Sequence, residues 1–335
     1  MKSLPSRFFL APMAELSTPA LRRTVKKFDG STALYSEMLS AGAIVSGASH
    51  NGPLVTRHGL DDPFIYQIAG NSPEVMAEAC RILSRSGPFG MDINMGCPAP
   101  DIVKRGFGAK LLTDPALARE IVRACRNATD ARLSVKLRTG YEKNDREEIL
   151  SFIRGLVDEG VDFITVHPRY AKLSFTRSAD WSLVKYIKEN VPVPVIGNGD
   201  ITDAPTALRR MEETGCDGIM IGREAVKSPW IFRLCAIAMQ GGGELTVDIE
   251  NTFMKTLDYI SLYLPPRLHK SRGHRFSLYF TKNLKYGHSL FSTIRGAAEI
   301  GEMKRAVEEY FSRNPHEKQR TMELRKEGTY ALSQV

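Results

Sequence analysis

Residues 115–167 read PALAREIVRACRNATDARLSVKLRTGYEKNDREEILSFIRGLVDEGVDFITVH, and this stretch decides the fold. Segments 115–128 and 146–159 carry apolar residues at helical spacing, whereas 133–137 (LSVKL) and 163–167 (FITVH) are short β-rich runs. Helix, strand, helix, strand is the alternation that yields a parallel sheet, with each helix serving as the crossover between strands. Outward in both directions the same kind of run recurs at 8–12, 33–36, 64–69, 91–95, 193–197 and 218–222. Eight repeats in about 220 residues favour closure into a (β/α)8 TIM barrel over an open doubly wound sheet, which usually has fewer strands.

Polar or reactive side chains stand at the C-terminal ends of these runs: Glu37, Gln67, Asn94, Lys136, His167, Asn198 and Arg223. Any one of them reads as a satisfied polar residue at a strand edge. In a barrel they converge on one mouth, the face on which such folds place their chemistry. From about Leu245 the alternation stops, and the remainder reads as helices at 251–264, 276–286, 289–300, 302–311 and 317–326. The expected organisation is a catalytic barrel over 1–240 and a smaller all-α helical domain over 245–335. Gly241, Gly242 and Gly243 between them serve as a hinge or as a helix stop and turn.

With 335 residues, 42% of them apolar and 25% charged, the composition is that of a folded globular chain with room for a barrel and an appendage. No run approaches the roughly 18 apolar residues of a membrane span, and the N-terminus lacks a cleavage-type segment. A cytoplasmic, membrane-free protein is expected. Five cysteines (Cys80, Cys97, Cys125, Cys216 and Cys235) are odd in number and never spaced Cys-x-x-Cys, which points to free thiols rather than disulfides or a metal site. The net charge of +8 is compatible with a polyanionic partner, and its distribution says more.

MDINMGCPAP (91–100) sets Cys97 just after a strand, between Gly96 and Pro98. A lone cysteine is usually an inert buried hydrophobe, but this one sits on a loop at the catalytic face. A thiol of ordinary acidity is still protonated at neutral pH, so it can donate a proton as well as attack as a thiolate. Lys136 lies in an apolar run, a costly site for an ammonium unless an ion pair, an anion or an electron-rich ring accepts it. With Gln67, His167 and Arg169 it can hold the pyrimidine edge of a flavin, whose O2 and N1 gain negative charge on reduction. VIGNGDI and IMIGREA, with Arg223, place glycines where a phosphate needs bare backbone N–H groups after strands seven and eight, although tight turns need glycine too.

Residues 259–298 contain Arg267, Lys270, Arg272, Arg275, Lys282, Lys285 and Arg295, with no acidic residue among them. Tyr263, Phe276, Tyr279, Phe280, Tyr286 and Phe291 interleave the charges, as in surfaces that hold phosphates and stack bases. A plain solvated helix face is the competing reading.

In order along about the first 235 residues, LAPMAELSTPALRR (10–23), SEM (36–38), NMGCP (94–98), GAKLLTDP (108–115), the stretch 167–181 ending in ADW, IGNGDI (196–201) and IGREAVKSPWIF (221–232) closely resemble the tRNA-dihydrouridine synthases. The C-terminal part resembles that family in kind of architecture rather than in sequence. The resemblance implies FMN as cofactor, NADPH or NADH as reductant and tRNA as partner, with the C5=C6 bond of specific uridines reduced. It puts Ala11, Pro12, Met13, Gln67, Lys136 and His167 against the FMN ring, and Asn198, Gly199, Asp200, Gly222 and Arg223 at its phosphate end. Glu37, Asn94 and Arg169 would meet the uracil, Cys97 would be the general acid, and Arg267, Lys270, Arg272, Arg275, Lys282 and Lys285 would bind tRNA. The chain is expected to act as a monomer. It departs from the family where the loop after His167 carries Leu173, Phe175 and Arg177 in place of a glutamine, tyrosine and glycine pattern. A dihydroorotate dehydrogenase-like FMN barrel would handle a similar ring but would not need an acid-free basic domain. A non-catalytic RNA-binding protein would not need Cys97, Lys136 and Arg223 intact.

Overall fold

Three of the helices start on a hydroxyl or carboxylate followed directly by proline. Thr18, Ser72 and Asp114 each accept the backbone N–H three residues on, while Pro19, Pro73 and Pro115 take first-turn positions where no N–H is needed. Strands alternate with helices along the barrel. The computed structural model describes residues 3–48, 52–143, 145–173, 177–324 and 330–332; Phe175 lies outside them. Strands β1 (Phe8–Leu10), β2 (Ala33–Ser40), β3 (Phe64–Ala69), β4 (Gly90–Met95), β5 (Arg132–Arg138), β6 (Phe163–His167), β7 (Val195–Asn198) and β8 (Gly218–Ile221) form a closed parallel barrel, with β1 paired to β8. The expected TIM barrel is therefore present.

Period-two alternation sorts each strand. On β4, Met91, Ile93 and Met95 face the surrounding helices, which leaves Asp92 and Asn94 to face the barrel interior. Phe9, Tyr35, Ile65, Phe163, Ile196 and Met220 fill the lower interior as a separate apolar cluster. Above that floor the inward positions turn polar, and this change of chemistry makes the upper end of the barrel a site.

Beyond the barrel, helices Ile249–Tyr263, Pro266–Phe280, Gly287–Gly296 and Ile300–Arg313 form the expected helical region. The helix expected at 276–286 instead begins at Pro266, because Pro265 and Pro266 fix a helix start, and ends at Phe280 before the 3-10 turn Thr281–Asn283. The segment expected as a helix at 317–326 is corrected to the turn Pro315–Glu317 followed by strand β10 (Gln319–Leu324), with 325 and 326 outside the described residues. β10 pairs antiparallel with β9 (Gly243–Asp248) and with β11 (Tyr330–Leu332). Its buried Met322 and Leu324 follow a period of two, but that alternation is short and its partner β9 is remote in sequence, so the pairing that makes it a strand is not a local property. Gly241 to Gly243 all take positive φ and form a helix stop and turn into β9.

The helical region packs firmly on the barrel. Trp230 is sealed between Phe28 and Phe280 in edge-to-face contacts, at 5.9 and 6.0 Å between ring centres. Asn283 donates to the carbonyl of Lys227 at 2.6 Å and accepts from Ser228 at 3.3 Å. These contacts bring Tyr279 and Lys282 to the barrel mouth. Among the described residues no helix is long and apolar enough to cross a membrane.

Candidate active site

A cavity of about 570 Å³ opens at the C-terminal mouth of the barrel, within the usual range for a small-molecule site. It is lined by Ala11, Pro12, Met13, Gln67, Asn94, Cys97, Lys136, His167, Arg169, Asn198, Gly199, Asp200, Gly222, Arg223 and Lys282, all singled out in the sequence. Met38, Arg138 and Lys227 line it as well and were missed, and Tyr279, one of the aromatics of the basic segment, joins them. Arg138 had a signal, since it stands two residues beyond Lys136 and so on the same face of β5. A larger cavity, about 830 Å³, lies outside the barrel wall between helices Pro115–Ala128 and Arg146–Asp158, and none of the expected site residues lines it. Convergent polar groups, rather than size, mark the mouth as the site.

The polar layer is ordered by hydrogen bonds of fixed direction. Asp92, fully buried, accepts from the amide nitrogen of Gln67 at 2.7 Å and from Ser134 at 2.6 Å. The Gln67 oxygen accepts from the amide nitrogen of Asn94 at 2.8 Å, and the Asn94 oxygen accepts from the backbone N–H groups of Gly96 at 3.1 Å and Cys97 at 2.9 Å. Burial pushes the Asp92 carboxyl up to about 6, against the hydrogen bonds from Ser134 and Gln67 and the charge of Lys136. Burial likewise brings Lys136 down to about 8, against the pull of Asp92. Cys97 is half-buried, and Cys80, Cys125, Cys216 and Cys235 are buried free thiols. From the other side the Cys97 carbonyl accepts from Ala109 N–H at 3.0 Å, and Gly108 at φ +60° lies directly against it.

His167 is driven down to about 2 by burial and by the cations Lys136, Arg138, Arg169 and Arg223, so its ring is neutral. Arg169 can only donate, hence the His167 Nε2 at 2.9 Å accepts and the proton sits on Nδ1. Arg169 is itself buried. One of its nitrogens bonds both Asp200 oxygens, at 2.8 and 2.6 Å, and its Nε holds the Arg177 carbonyl at 2.8 Å. Burial works to raise the Asp200 carboxyl, but the hydrogen bonds from Arg169 and Ala179 outweigh it and leave the group below its ordinary value. Asp200 at φ +53° and Gly199 at φ +122° turn the backbone after β7. A Cβ on Gly199 would stand 2.9 Å from the His167 ring, so only glycine fits there without displacement. Asn198 spends its amide on the Met220 carbonyl at 2.8 Å.

Two placements differ from the sequence reading. Glu37 does not stand at a strand end in the mouth: β2 continues to Ser40, and one extra residue between Tyr35 and Met38 bulges the pairing with β3. The bulge turns Met38 toward the cavity and leaves Glu37 buried outside it, accepting the N–H of Glu15. Burial raises the Glu37 carboxyl, opposed by that hydrogen bond and by Arg272 and Arg22. Glu15 in turn pairs with Arg272, at 3.1 Å, and with Arg275. Arg272 is thus largely buried and ties the helical region to the turn after β1. Arg267, Lys270, Arg275, Lys282 and Lys285 are exposed, and Lys285 lies over the exposed ring of Tyr286 at 5.4 Å.

The donor set suits a flavin mononucleotide. Bare backbone at Gly199 and Gly222 beside Arg223 suits a phosphate, and Lys136 with the Gln67 amide suits the edge of a ring that becomes anionic. Among the described residues no three His, Cys, Asp or Glu side chains gather as a metal site.

Residues 9–256 match the sequence profile of the family described as Dihydrouridine synthase (Dus). A tRNA-dihydrouridine synthase B of Shewanella oneidensis is 34% identical over 242 residues, 72% of this chain and 74% of the relative. That of Escherichia coli K12 is 37% identical over 234 residues, 69% of this chain and 71% of the relative. Among solved structures, morphinone reductase superposes with a TM-score of 0.51 at 13% identity, covering 68% of this chain and 84% of its own. A 2-naphthoyl-CoA reductase complex does so at 0.52 and 12% identity, covering 70% and 50%. At those identities the likeness is one of fold.

Proposed function

The chain belongs to the dihydrouridine synthase family, and from that premise we propose that it reduces the C5=C6 bond of specific uridines in tRNA to dihydrouridine. The single observation that carries this reading is the mouth cavity, which a positioned thiol, a partly buried lysine, a neutral imidazole and a bare-backbone anion cradle line together. Reduced FMN, once bound, supplies the hydride that the uracil receives at C6.

The remaining work falls to the protein's own groups. Ala11, Pro12, Met13, Gln67, Lys136 and His167 hold the flavin ring, with Lys136 as the counter-charge. Asn198, Gly199, Asp200, Gly222 and Arg223 hold its phosphate through backbone N–H groups and the guanidinium. Asp200 contributes backbone only, since its carboxylate is committed to Arg169. Asn94 stands next to the Cys97 loop, where the uracil enters, and Cys97 delivers the proton to C5. Arg169 orders His167 and the loop behind it. NADPH or NADH is the reductant.

A uracil in folded RNA is stacked or paired and must be turned out to reach a barrel mouth, while neighbouring phosphates are held elsewhere. We assign the first need to residues 1–240 and the second to 245–335, whose exposed Arg267, Lys270, Arg275, Lys282 and Lys285 supply charge. Arg272 serves more as the tie to Glu15. The protein acts as a cytoplasmic monomer in this reading. Cys97→Ala tests it directly: flavin content and tRNA affinity are expected to persist while dihydrouridine formation on unmodified tRNA is lost. Full activity in that variant would sink the acid assignment.

A further inference from the structure

We propose that Asp92, sealed beneath the barrel mouth, is a positioning residue that dictates which way the amides of Gln67 and Asn94 face and so holds the Cys97 loop in place. Its side chain is not among those that line the mouth cavity and is closed to solvent. A buried carboxylate is costly to keep, and this one is met by two hydrogen bonds whose consequences run upward.

Side-chain amides can turn end for end, exchanging oxygen for nitrogen, unless something with no choice of role fixes them. Here both ends of the chain lack that choice. An ionised carboxylate only accepts, so Gln67 must offer its nitrogen to Asp92, at 2.7 Å, and its oxygen to Asn94, at 2.8 Å. Asn94 must then give its nitrogen to Gln67, and its oxygen is left for the Gly96 and Cys97 N–H groups, which only donate. Turning either amide over would set nitrogen against nitrogen or oxygen against oxygen within the barrel. Register enforces the order: Asp92 is paired with Gln67 on β3 and with Ser134 on β5, one inward layer below Asn94 and Lys136. Ser134, at 2.6 Å, takes up the second carboxylate oxygen.

Four of the five thiols are buried, so alkylation of the folded full-length protein by iodoacetamide reads Cys97. Asp92→Leu removes the acceptor and is expected to change that rate by about fivefold or more, the scale of one net hydrogen bond. Asp92→Asn is expected to stay near wild type, because its oxygen can still accept from Gln67 while its nitrogen donates to Ser134. Ser134→Ala alone is also expected to be near wild type. In the double variant Asp92→Asn/Ser134→Ala the amide nitrogen loses its acceptor, so nothing below fixes which end meets Gln67, and the rate is expected to move from that of Asp92→Asn toward that of Asp92→Leu. This rescue pattern is one that mere packing would not produce, and circular dichroism checks folding. A folded Asp92→Leu that alkylates at the wild-type rate overturns the proposal. If that variant does not fold, equal rates for Asp92→Asn and the double variant overturn it. The proposal rests on the preceding reading only for what Cys97 does with its proton. Alkylation rates report the loop whether or not turnover occurs, so the two ideas fail separately.

Discussion

Replacing Gly108 with alanine disturbs the Cys97 loop without altering any group that lines the cavity. Gly108 has φ +60°, where an L side chain costs about 1–2 kcal/mol. The added Cβ would also stand 2.6 Å from the Cys97 carbonyl oxygen, 3.0 Å from Ile102 and 3.1 Å from the Cys97 Cβ. That carbonyl is backbone, pinned by Ala109 N–H at 3.0 Å, so it cannot rotate aside as a side-chain tip would. Relief requires the loop to move by several tenths of an ångström, and overpacking of this kind costs about 1–3 kcal/mol. The sum, about 2–5 kcal/mol, is a sizeable part of the roughly 5–15 kcal/mol that keeps a domain folded. Gly108→Ala is therefore expected to fold, to melt several degrees lower, and to bind flavin normally. Its dihydrouridine formation should fall by about tenfold or more, because misplacing a reacting group by a fraction of an ångström is costly. Calorimetry, flavin absorbance per protein and single-turnover assays on unmodified tRNA measure the three quantities. A variant with wild-type melting and turnover would refute the reasoning, as would activity lost strictly in step with flavin.

The position of Lys136 gives a pH signature. Its ammonium, held down to about 8, is present below that pH and lost as pH rises through it. The midpoint potential of the bound flavin should accordingly drop more steeply above pH 8, and Lys136→Met should lower it at neutral pH and erase the inflection. Potentiometric titration decides, and an unchanged inflection in Lys136→Met would assign it to another group. On the helical region, Lys270→Ala/Lys282→Ala/Lys285→Ala should weaken tRNA binding and reduce the slope of log affinity against log salt by roughly 2–3. Filter binding across a salt series measures this, and an unchanged slope would make these lysines a solvated face. Arg272→Ala should instead lower the melting temperature, since it frees Glu15 from one of its two partners.

Strand identity and the convergence of Gln67, Asn94, Lys136, His167, Asn198 and Arg223 were legible in the sequence, because period-two alternation and the parallel rule act over a few residues at a time. Cys97 was legible as a thiol on the loop after β4. Its hydrogen-bonded seat was not, because it depends on Asp92, Gln67 and Ser134 meeting across three strands. Glu37 shows the same limit from the other side. Its place in SEM reads as a strand end, yet the bulge beside β3 turns it away from the mouth and hands its position to Met38. Likewise Arg272 reads as one cation in an acid-free run, until the fold sets Glu15, remote in sequence, against it. Local periodicity is a property of neighbouring residues and is written in their order. Register, bulges and the partners of buried charges arise only when distant segments close the barrel and dock the helices, and that closure decided which polar groups reach the mouth.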